Sequence, residues 1–400
     1  MIFINKPYIV ENNEYSRLVC NVSEDDIEKE IYFEVEKEYG KYLCFERCDA
    51  FVIGYLSYAM QNKHDIKSET PITDELLYNI NEYLIPALTD NDERLSKIKI
   101  TAPIAPALDN AGGVGTGISC GVDSFHAILN NINSQYPKNK LTHVCINNVG
   151  AFNVCYEKYG IEKVKNAIYI RAEKAAKELN IPIIKTDSNF QTQCIQDHLR
   201  TNTYSSMLAV FCLQKLWKTY FYSSSGYDLN CFNLKNSLDF DSGFYDLLSL
   251  NCFSTRKLRV YSEGMAKSRF EKTRFIADNK TVQKYLHVCV REDENCGVCT
   301  KCKRTILTLD TLGKLENFSK VFDIDYYKKH KNEYLIWLYK KALSKNNYGI
   351  QIYRENKIHI PLYIKLYVYL NKLHILSITH DRKRKKKKIK IFGIKLTFKY

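Results

Sequence analysis

Residues 111–124 read Ala-Gly-Gly-Val-Gly-Thr-Gly-Ile-Ser-Cys-Gly-Val-Asp-Ser, and the rest of the chain can be interpreted outward from them. Four of the sixteen glycines lie in residues 112–117, and a helical pattern starts at Asp123. A glycine-rich loop before a helix lets backbone N–H groups approach an anion, and the helix adds its positive end. Ser119 and Ser124 could donate hydroxyl groups, and Asp123 could hold Mg²⁺ or cap the helix. A flexible linker with an ordinary helix cap is the alternative.

Strand-like and helix-like segments alternate around this stretch. Residues 97–101 are predicted as a strand before the glycines. After them we predict strands at residues 142–147, 182–187 and 219–223, and a helix at residues 165–179. This alternation predicts an α/β fold with a doubly wound parallel sheet.

The hexapeptide Ser119-Cys-Gly-Val-Asp-Ser124 resembles the Ser-Gly-Gly-x-Asp-Ser loop of the PP-loop ATP pyrophosphatases. The resemblance implies an adenine-nucleotide α-hydrolase fold and cleavage of ATP between its α and β phosphates. Cys120 stands where the family pattern has its first glycine. The Walker A pattern is absent here, because no Gly-Lys-Ser/Thr follows the glycines.

Four cysteines lie within fourteen residues, at Cys289, Cys296, Cys299 and Cys302. Four thiolates at this spacing can close a tetrahedral Zn²⁺ site. Gly297 suits the tight turn between the second and third cysteines. A redox or iron–sulfur role and a coincidence of buried cysteines are the alternatives, and His287 is a fallback ligand. A pyrophosphate loop with such a late cysteine run resembles the 7-cyano-7-deazaguanine synthase branch, over about residues 97–315.

A closer likeness is to uncharacterised PP-loop proteins encoded among bacterial surface-polysaccharide genes. Its features are matched at residues 222–227, 268–273 and 295–305. Changes of pattern and composition along the chain, together with the resemblance, predict five segments: a mixed α/β N-terminal domain, a PP-loop nucleotide-binding domain, a zinc-binding segment packing on the core, a helical module and a basic tail. Their predicted bounds are residues 1–96, 97–250, 251–330, 331–381 and 382–400. Within the first segment, residues 31–35 and 42–45 alternate as strands of a hairpin around Tyr39-Gly40.

PP-loop enzymes, by resemblance, adenylate an oxygen of a small molecule and then let a nucleophile displace AMP. The loop would hold the departing pyrophosphate with preorganised N–H groups and Mg²⁺. The resemblance assigns nucleotide binding to Ser119, Cys120, Gly121, Val122, Asp123 and Ser124, with Asp123 and Ser124 as catalytic residues. Arg269, Lys272, Arg274 and Arg200 are candidate clamps for phosphate or a substrate carboxylate, because Arg suits bidentate anion contacts, with a solvated helix face as the alternative. Ser223–Ser225 follow a strand end, where open α/β sheets bind ligands, and are a weaker candidate.

Some PP-loop enzymes transfer sulfur to tRNA, so Cys120, Cys145 and Cys194 raise a thiolation alternative. That role requires an exposed thiol of low pKa beside the loop. A buried and unreactive cysteine is the plainer interpretation.

The net charge of +14 is concentrated at one end of the chain. Residues 382–400 hold ten Lys or Arg and no acid, which leaves +4 for the first 381 residues. A basic run beside alternating apolar residues 392–400 suits an anionic membrane surface, with RNA or a disordered, solvated tail as alternatives. The first residues lack a signal-peptide pattern, and no transmembrane span is convincing. We therefore expect a cytoplasmic protein, with peripheral contact at the inner face of the membrane as an option.

The sequence thus predicts an ATP-dependent ligase or amidotransferase that forms AMP and pyrophosphate. Its acceptor is expected to be a small molecule, such as a nucleotide-sugar or glycan precursor. The cofactors implied are ATP, Mg²⁺ and Zn²⁺. No N-terminal cysteine glutaminase is recognisable, so ammonia would come free or from a separate donor. An RNA-modifying enzyme and a non-catalytic nucleotide-binding scaffold are the alternatives.

Overall fold

A computed structural model describes residues 1–25, 27–150, 160–194, 198–224, 228–235, 242–344, 349–350, 352–353, 359–373, 376–381, 386–391 and 394–399. The chain divides into two compact units, Met1–Glu294 and Asn295–Tyr400.

The strands of the first unit are β1 (Ile2–Ile4), β2 (Tyr8–Glu11), β3 (Tyr15–Glu24), β4 (Ile27–Glu36), β5 (Ile66–Ser68), β6 (Ile72–Thr73), β7 (Ile100–Thr101), β8 (Ile104–Ala105), β9 (Gly113–Gly117), β10 (His143–Asn148), β11 (Ile183–Ser188), β12 (Trp217–Ser223) and β13 (Arg259–Glu263). Its α-helices are α1 (Asp49–Asn62), α2 (Asp74–Asn79), α3 (Ile85–Thr89), α4 (Val122–Asn131), α5 (Ile161–Glu178), α6 (Phe190–Gln193), α7 (His198–Cys212), α8 (Asp228–Cys231), α9 (Asp246–Phe253), α10 (Arg269–Ile276) and α11 (Lys280–Tyr285). A π-helical turn, Ile80–Leu84, joins α2 to α3.

One large sheet organises this unit, in the order β13-β12-β9-β10-β11-β4-β3-β1-β5-β7, with β2 also paired to β3. The five strands from β9 to β13 are all parallel. In chain order they are strands one to five, and they lie in the order 3-2-1-4-5. The prediction of an α/β chain built on a large, mostly parallel sheet is confirmed.

The first and fourth of these parallel strands, β9 and β12, are neighbours, so the order reverses between them. The connections that leave such a pair run in opposite directions along the sheet. In open α/β sheets, ligands bind at the carboxyl ends of the strands beside such a reversal of order. The loop after β9 is residues 118–121, which is the loop that the sequence singles out.

Most of the glycine-rich stretch is strand rather than loop. We expected residues 97–101 to be the strand before the phosphate loop, but that strand is β9, and β7 covers only Ile100–Thr101. Gly115 lies under the indole of the fully buried Trp217, and a Cβ there would approach the ring to 2.8 Å. Gly115 is thus needed for packing of the sheet, and the anion-binding candidates are reduced to residues 118–124.

The strands before residue 97 extend the same sheet, because β4 pairs antiparallel with β11. The predicted hairpin is wrong in its second strand. Residues 31–35 lie in β4, but β4 pairs with β3, and Lys37–Tyr42 form a 3-10 turn instead. Leu43 and Cys44 are buried beyond that turn, and the Cys44 N–H donates to the Cys212 carbonyl at the end of α7 (2.9 Å). The domain bounds at 96, 250, 330 and 381 stay predictions.

The second unit has α-helices α12 (Thr300–Thr311), α13 (Ile324–Lys329), α14 (Lys331–Leu343) and α15 (Leu362–Lys372), and strands β14 (Leu376–Asp381), β15 (Lys386–Ile391) and β16 (Ile394–Lys399). These strands form an antiparallel sheet. The alternating pattern of the tail falls on β16, while Phe392 and Tyr400 lie outside the described residues. Across the described residues, no helix combines the length and the apolar character needed to cross a bilayer.

Candidate functional site

The loop between β9 and α4 closes on itself through the two predicted serines. The Ser119 hydroxyl donates to the Ser124 hydroxyl (3.2 Å), and the Gly121 N–H donates to the Ser119 hydroxyl (3.4 Å). The Ser124 hydroxyl in turn donates to the Gly121 carbonyl (3.2 Å). Helix α4 then begins at Val122, with Gly121 as its N-cap residue. Both serines therefore lie at the positive end of a ten-residue helix, as the sequence predicts.

Cys120 has a backbone conformation that glycine ordinarily adopts. Its φ is +57°, and its side chain is buried. This is the position where the family pattern has a glycine, so the pattern and the backbone conformation agree. Burial raises the pKa of the Cys120 thiol to about 12, which keeps it protonated at neutral pH.

Cys145 and Cys194 are also buried, and burial raises the pKa of Cys145. Neither Cys120 nor Cys145 has the exposed, low-pKa thiol that the thiolation alternative requires.

Helix α10 brings two predicted cations to the loop. Its start is fixed by a capping box, in which the Ser268 hydroxyl accepts from the Glu271 N–H (3.2 Å) and the Glu271 carboxylate accepts from the Ser268 N–H (2.7 Å). Arg269 and Lys272 are three residues apart in this helix and so share a face. That face is directed at Asp123, the second residue of α4.

Asp123 lies between these two cations. Arg269 Nη2 is 2.6 Å from Asp123 Oδ2, and Lys272 Nζ is 3.6 Å from Asp123 Oδ1. Lys272 is fully buried, and its ammonium group also donates to the carbonyl of Ser224, directly after β12 (2.9 Å). Asp123 Oδ1 is buried and has no hydrogen-bond donor among the described residues. The structure thus joins Asp123, Arg269 and Lys272, which the sequence placed about 150 residues apart.

The other candidate residues, which are Arg200, Arg274 and the serines at the end of β12, make no hydrogen bond or ion pair with Asp123 within the described part of the chain. Ser223 Oγ, the last side chain of β12, is buried with no hydrogen-bond partner among the described residues, and Ser225 lies outside them. The Arg274 guanidinium lies over the ring of Phe270 (4.8 Å to the centroid). Arg200 is exposed in α7.

His126 is a residue of this site that the sequence interpretation missed. It lies one turn after Asp123, is fully buried, and neither ring nitrogen has a hydrogen-bond partner among the described residues. Gly264, with φ +74°, makes room for it, since a Cβ there would be 2.9 Å from both the imidazole and Lys272 Cε. Burial, then Lys267 and Lys272, lower the pKa of His126 to about 4, so it is neutral. A lone histidine in an apolar helix pattern gives no signal of such surroundings.

The four predicted cysteines come together. Their sulfur atoms all lie within 4.8 Å of one another. The cluster is formed by Cys289, Cys296, Cys299 and Cys302, and all but Cys296 are buried. Four sulfurs at this separation can ligate one metal ion, such as zinc.

Backbone N–H groups point at three of these sulfurs. The N–H of Arg291 donates to Cys289 Sγ, that of Cys299 to Cys296 Sγ, and that of Cys302 to Cys299 Sγ, each at 3.4 Å. Such donors stabilise thiolate charge and orient the ligands. Gly297 has φ +69°, and its carbonyl accepts from the Tyr334 hydroxyl (2.9 Å), which holds the turn.

His287 is placed differently from the cysteines. Its Nε2 lies 3.2 Å from the Glu292 carbonyl oxygen, and its backbone N–H donates to the Cys120 carbonyl (2.8 Å). The segment that leads to the cysteines therefore hydrogen-bonds to the loop before α4. His287 supports that loop through its backbone.

In comparisons with protein-family models, with curated proteins and with solved structures, none matches this chain.

Proposed function

We propose that the chain is an ATP-dependent ligase or amidotransferase that releases AMP and pyrophosphate, on a doubly wound sheet like that of the adenine-nucleotide α-hydrolases. The observation that carries the proposal is the meeting of Asp123, Arg269 and the buried Lys272 at the first turn of α4. This turn follows the carboxyl end of β9, beside the reversal of strand order. Charged side chains are almost never fully buried unless they are paired, and Lys272 is paired with Asp123 at the end of the sheet where open α/β folds bind ligands such as nucleotides.

The donor set fits Mg²⁺ and a polyphosphate. Asp123 Oδ1, a buried carboxylate oxygen with no hydrogen-bond donor among the described residues, is a hard ligand of the kind Mg²⁺ prefers. Arg269 and Lys272 supply two positive charges, and the N-terminal N–H groups of α4 supply further donors. These groups would hold the pyrophosphate as its charge develops, which is the step that preorganised donors stabilise most.

The four cysteines are proposed to hold a structural Zn²⁺. All four ligand positions of a tetrahedral site are filled by sulfur, so none is left for a substrate. The acceptor is proposed to be a small molecule with a carboxyl or amide oxygen, such as a surface-polysaccharide sugar intermediate, with ammonia supplied free or by a separate protein.

The test is to incubate the chain with labelled ATP, Mg²⁺ and ammonia, add candidate acceptors, and identify the products. We expect AMP and pyrophosphate to form only with a suitable acceptor. Asp123→Asn and Lys272→Met should each lower the rate about 100-fold or more, as removal of one charge-stabilising group does. Release of ADP and phosphate would contradict the proposal.

Asp90 and Lys97 offer a matched control. They form an exposed carboxylate–ammonium pair (3.0 Å) on the surface of the same unit. Asp90→Asn and Lys97→Met remove the same chemical groups and should leave the rate within about twofold, since exposed pairs contribute little. If Asp123→Asn behaves like Asp90→Asn, the loop is not a catalytic site and the scaffold alternative is favoured.

A further inference from the structure

Helix α15 in the second unit has two apolar faces, although a surface helix needs only one. Ile364 and Val368 are buried and pack inward. Leu362, Leu366, Tyr369 and Leu373, on the opposite side, are 79, 54, 59 and 50% exposed. At 3.6 residues per turn these four fall within an arc of about 60°. We call these four residues the outer stripe.

An outer stripe of this kind is unusual because polar residues normally occupy the solvent face of a helix. Contiguous exposed apolar side chains mark surfaces that bind another protein or a membrane. The helix is held from the other side, since Lys340 of α14 donates to the Asn371 side chain (3.2 Å) and the Tyr363 hydroxyl donates to the Asn332 side chain (2.9 Å). The outer stripe is therefore fixed in its outward position.

The charge of the residues around the outer stripe indicates which kind of partner binds it. Residues 357–400 contain thirteen Lys or Arg and one acid, Asp381. Two of these lysines, Lys365 and Lys372, flank the outer stripe along one edge of α15. The strand β15, which follows in the same unit, carries four lysines in six residues. Apolar side chains flanked by lysines are the pattern of helices that lie in the plane of an anionic bilayer.

We infer that the outer stripe of α15 docks on an anionic phospholipid surface, with its leucines among the acyl chains and the lysines at the headgroup phosphates. A second copy of the chain is a poorer occupant, since eleven residues are too short for a coiled coil and pairing would bring like charges together. This inference does not depend on ATP chemistry at the first unit, so either can fail alone.

The experiment is cosedimentation of the full chain with vesicles. One set contains phosphatidylglycerol and phosphatidylcholine, and the other contains phosphatidylcholine alone. We expect binding to the first set only, and weaker binding as NaCl rises. Lys365→Gln and Lys372→Gln should each weaken it about fivefold. Equal binding to neutral vesicles would overturn the inference.

The contribution of the apolar side chains to vesicle binding is tested by substituting two leucines of similar exposure, one inside and one outside the outer stripe. Leu366→Ser removes a residue of the outer stripe, and Leu343→Ser removes a leucine of α14 with nearly equal exposure, 51%. Neither change opens a core cavity, so both variants should fold. We expect Leu366→Ser to weaken vesicle binding about threefold or more, the triple variant Leu362→Ser/Leu366→Ser/Leu373→Ser about tenfold or more, and Leu343→Ser to bind as the parent does.

Fluorescence quenching distinguishes insertion of the outer stripe among the acyl chains from electrostatic attraction to the headgroups alone. Leu366→Trp in vesicles with brominated acyl chains should show quenching that is absent from the parent chain under the same conditions. The inference is overturned if the triple variant binds vesicles like the parent. It is also overturned if the chain dimerises through the outer stripe or binds RNA instead, without vesicle binding.

Discussion

Cys120 is a non-glycine residue whose backbone lies in the left-handed region, where glycine is favoured. A non-glycine residue at φ +57° costs about 1 kcal/mol or more, and burial of the small thiol offsets part of this cost. We predict that Cys120→Gly changes the free energy of unfolding by less than about 1 kcal/mol. Cys120→Val should lower it by at least about 2 kcal/mol, because a β-branched residue at positive φ is strained.

Urea denaturation of the parent and both variants measures these differences. Cys252→Val is a suitable control, since Cys252 is a buried helical residue and positive φ is not required there. If Cys120→Val is as stable as Cys120→Gly, the left-handed conformation is not required by the fold.

His126 makes stability depend on pH. Its pKa is about 4 in the folded chain and about 6.5 when unfolded, so the unfolded state binds more protons between these values. The stabilisation from keeping this imidazole neutral is present above pH 6.5 and is lost as pH falls towards 4. We predict that His126→Leu flattens the decline in melting temperature between pH 6.5 and 4.5, since leucine does not titrate. The variant should fold, because neither ring nitrogen of His126 has a hydrogen-bond partner among the described residues.

The slope should not vanish, because burial also lowers the pKa of His287 to about 4. Phe275→Leu is the control: its ring lies 5.2 Å from the imidazole, and the change alters packing without adding or removing a titrating group. An unchanged slope in His126→Leu would show that this histidine is accessible to protons in the folded chain.

At the residue scale, the sequence could predict the charged part of the site but not its surroundings. The hexapeptide pattern located Asp123, and its likeness to a known loop made distant basic residues worth considering. The convergence of Arg269 and Lys272 depends on how α10 packs against α4, which no local pattern encodes. His126 and Gly264 were missed because they are far apart in the sequence, and only their contact in the fold shows that Gly264 makes room for the buried imidazole.

At the scale of elements, the periodicity of apolar residues predicted where most helices and strands lie, but not which strands pair with each other. Strands β10, β11 and β12 and helices α4 and α5 all lie where the apolar patterns place them, within a few residues. Strand β9 was missed because glycine has low strand propensity, and the tertiary requirement of Trp217 overrides it. The predicted hairpin is wrong because residues 43–45 follow a 3-10 turn, and Leu43 and Cys44 are buried there without belonging to a strand.

The cysteine segment is the element whose stability should depend most on a ligand. We predict that the purified chain holds about one Zn²⁺ and that Cys299→Ser loses it, with a lower melting temperature, because structural zinc sites contribute directly to folding. The His287 N–H bond to Cys120 predicts faster hydrogen exchange at residues 119–124 after metal removal.

Metal analysis, thermal melting and hydrogen exchange check the three parts of that prediction. Cys231→Ser, which changes a cysteine outside the cluster, should keep the metal and the melting temperature of the parent. Full metal content in Cys299→Ser would contradict the proposed ligand set. Unchanged exchange at residues 119–124 would show that the metal site does not support the loop.

At the scale of the first unit, the parallel strands β9–β13 and the N-terminal strands form one sheet with a shared core. Phe33 and Val35 of β4 are buried, and their backbones pair with Ser188 and Thr186 of β11. Helix α1 approaches α7 so closely that a Cβ at Gly54 would be 2.5 Å from a methyl group of Leu208. Sequence composition could not show this sharing, because the pairing joins segments about 150 residues apart.

We therefore predict that a fragment of residues 97–400, which keeps all four cysteines of the cluster, aggregates, whereas the full chain gives a monomer. Without β4, strand β11 becomes an open edge with unpaired N–H and C=O groups, and edges of this kind template aggregation. Loss of α1 also exposes the apolar face of α7. Size-exclusion chromatography and binding of an apolar dye to the fragment and to the full chain measure both effects. A monomeric 97–400 fragment that melts cooperatively would instead support an independent domain boundary near residue 96.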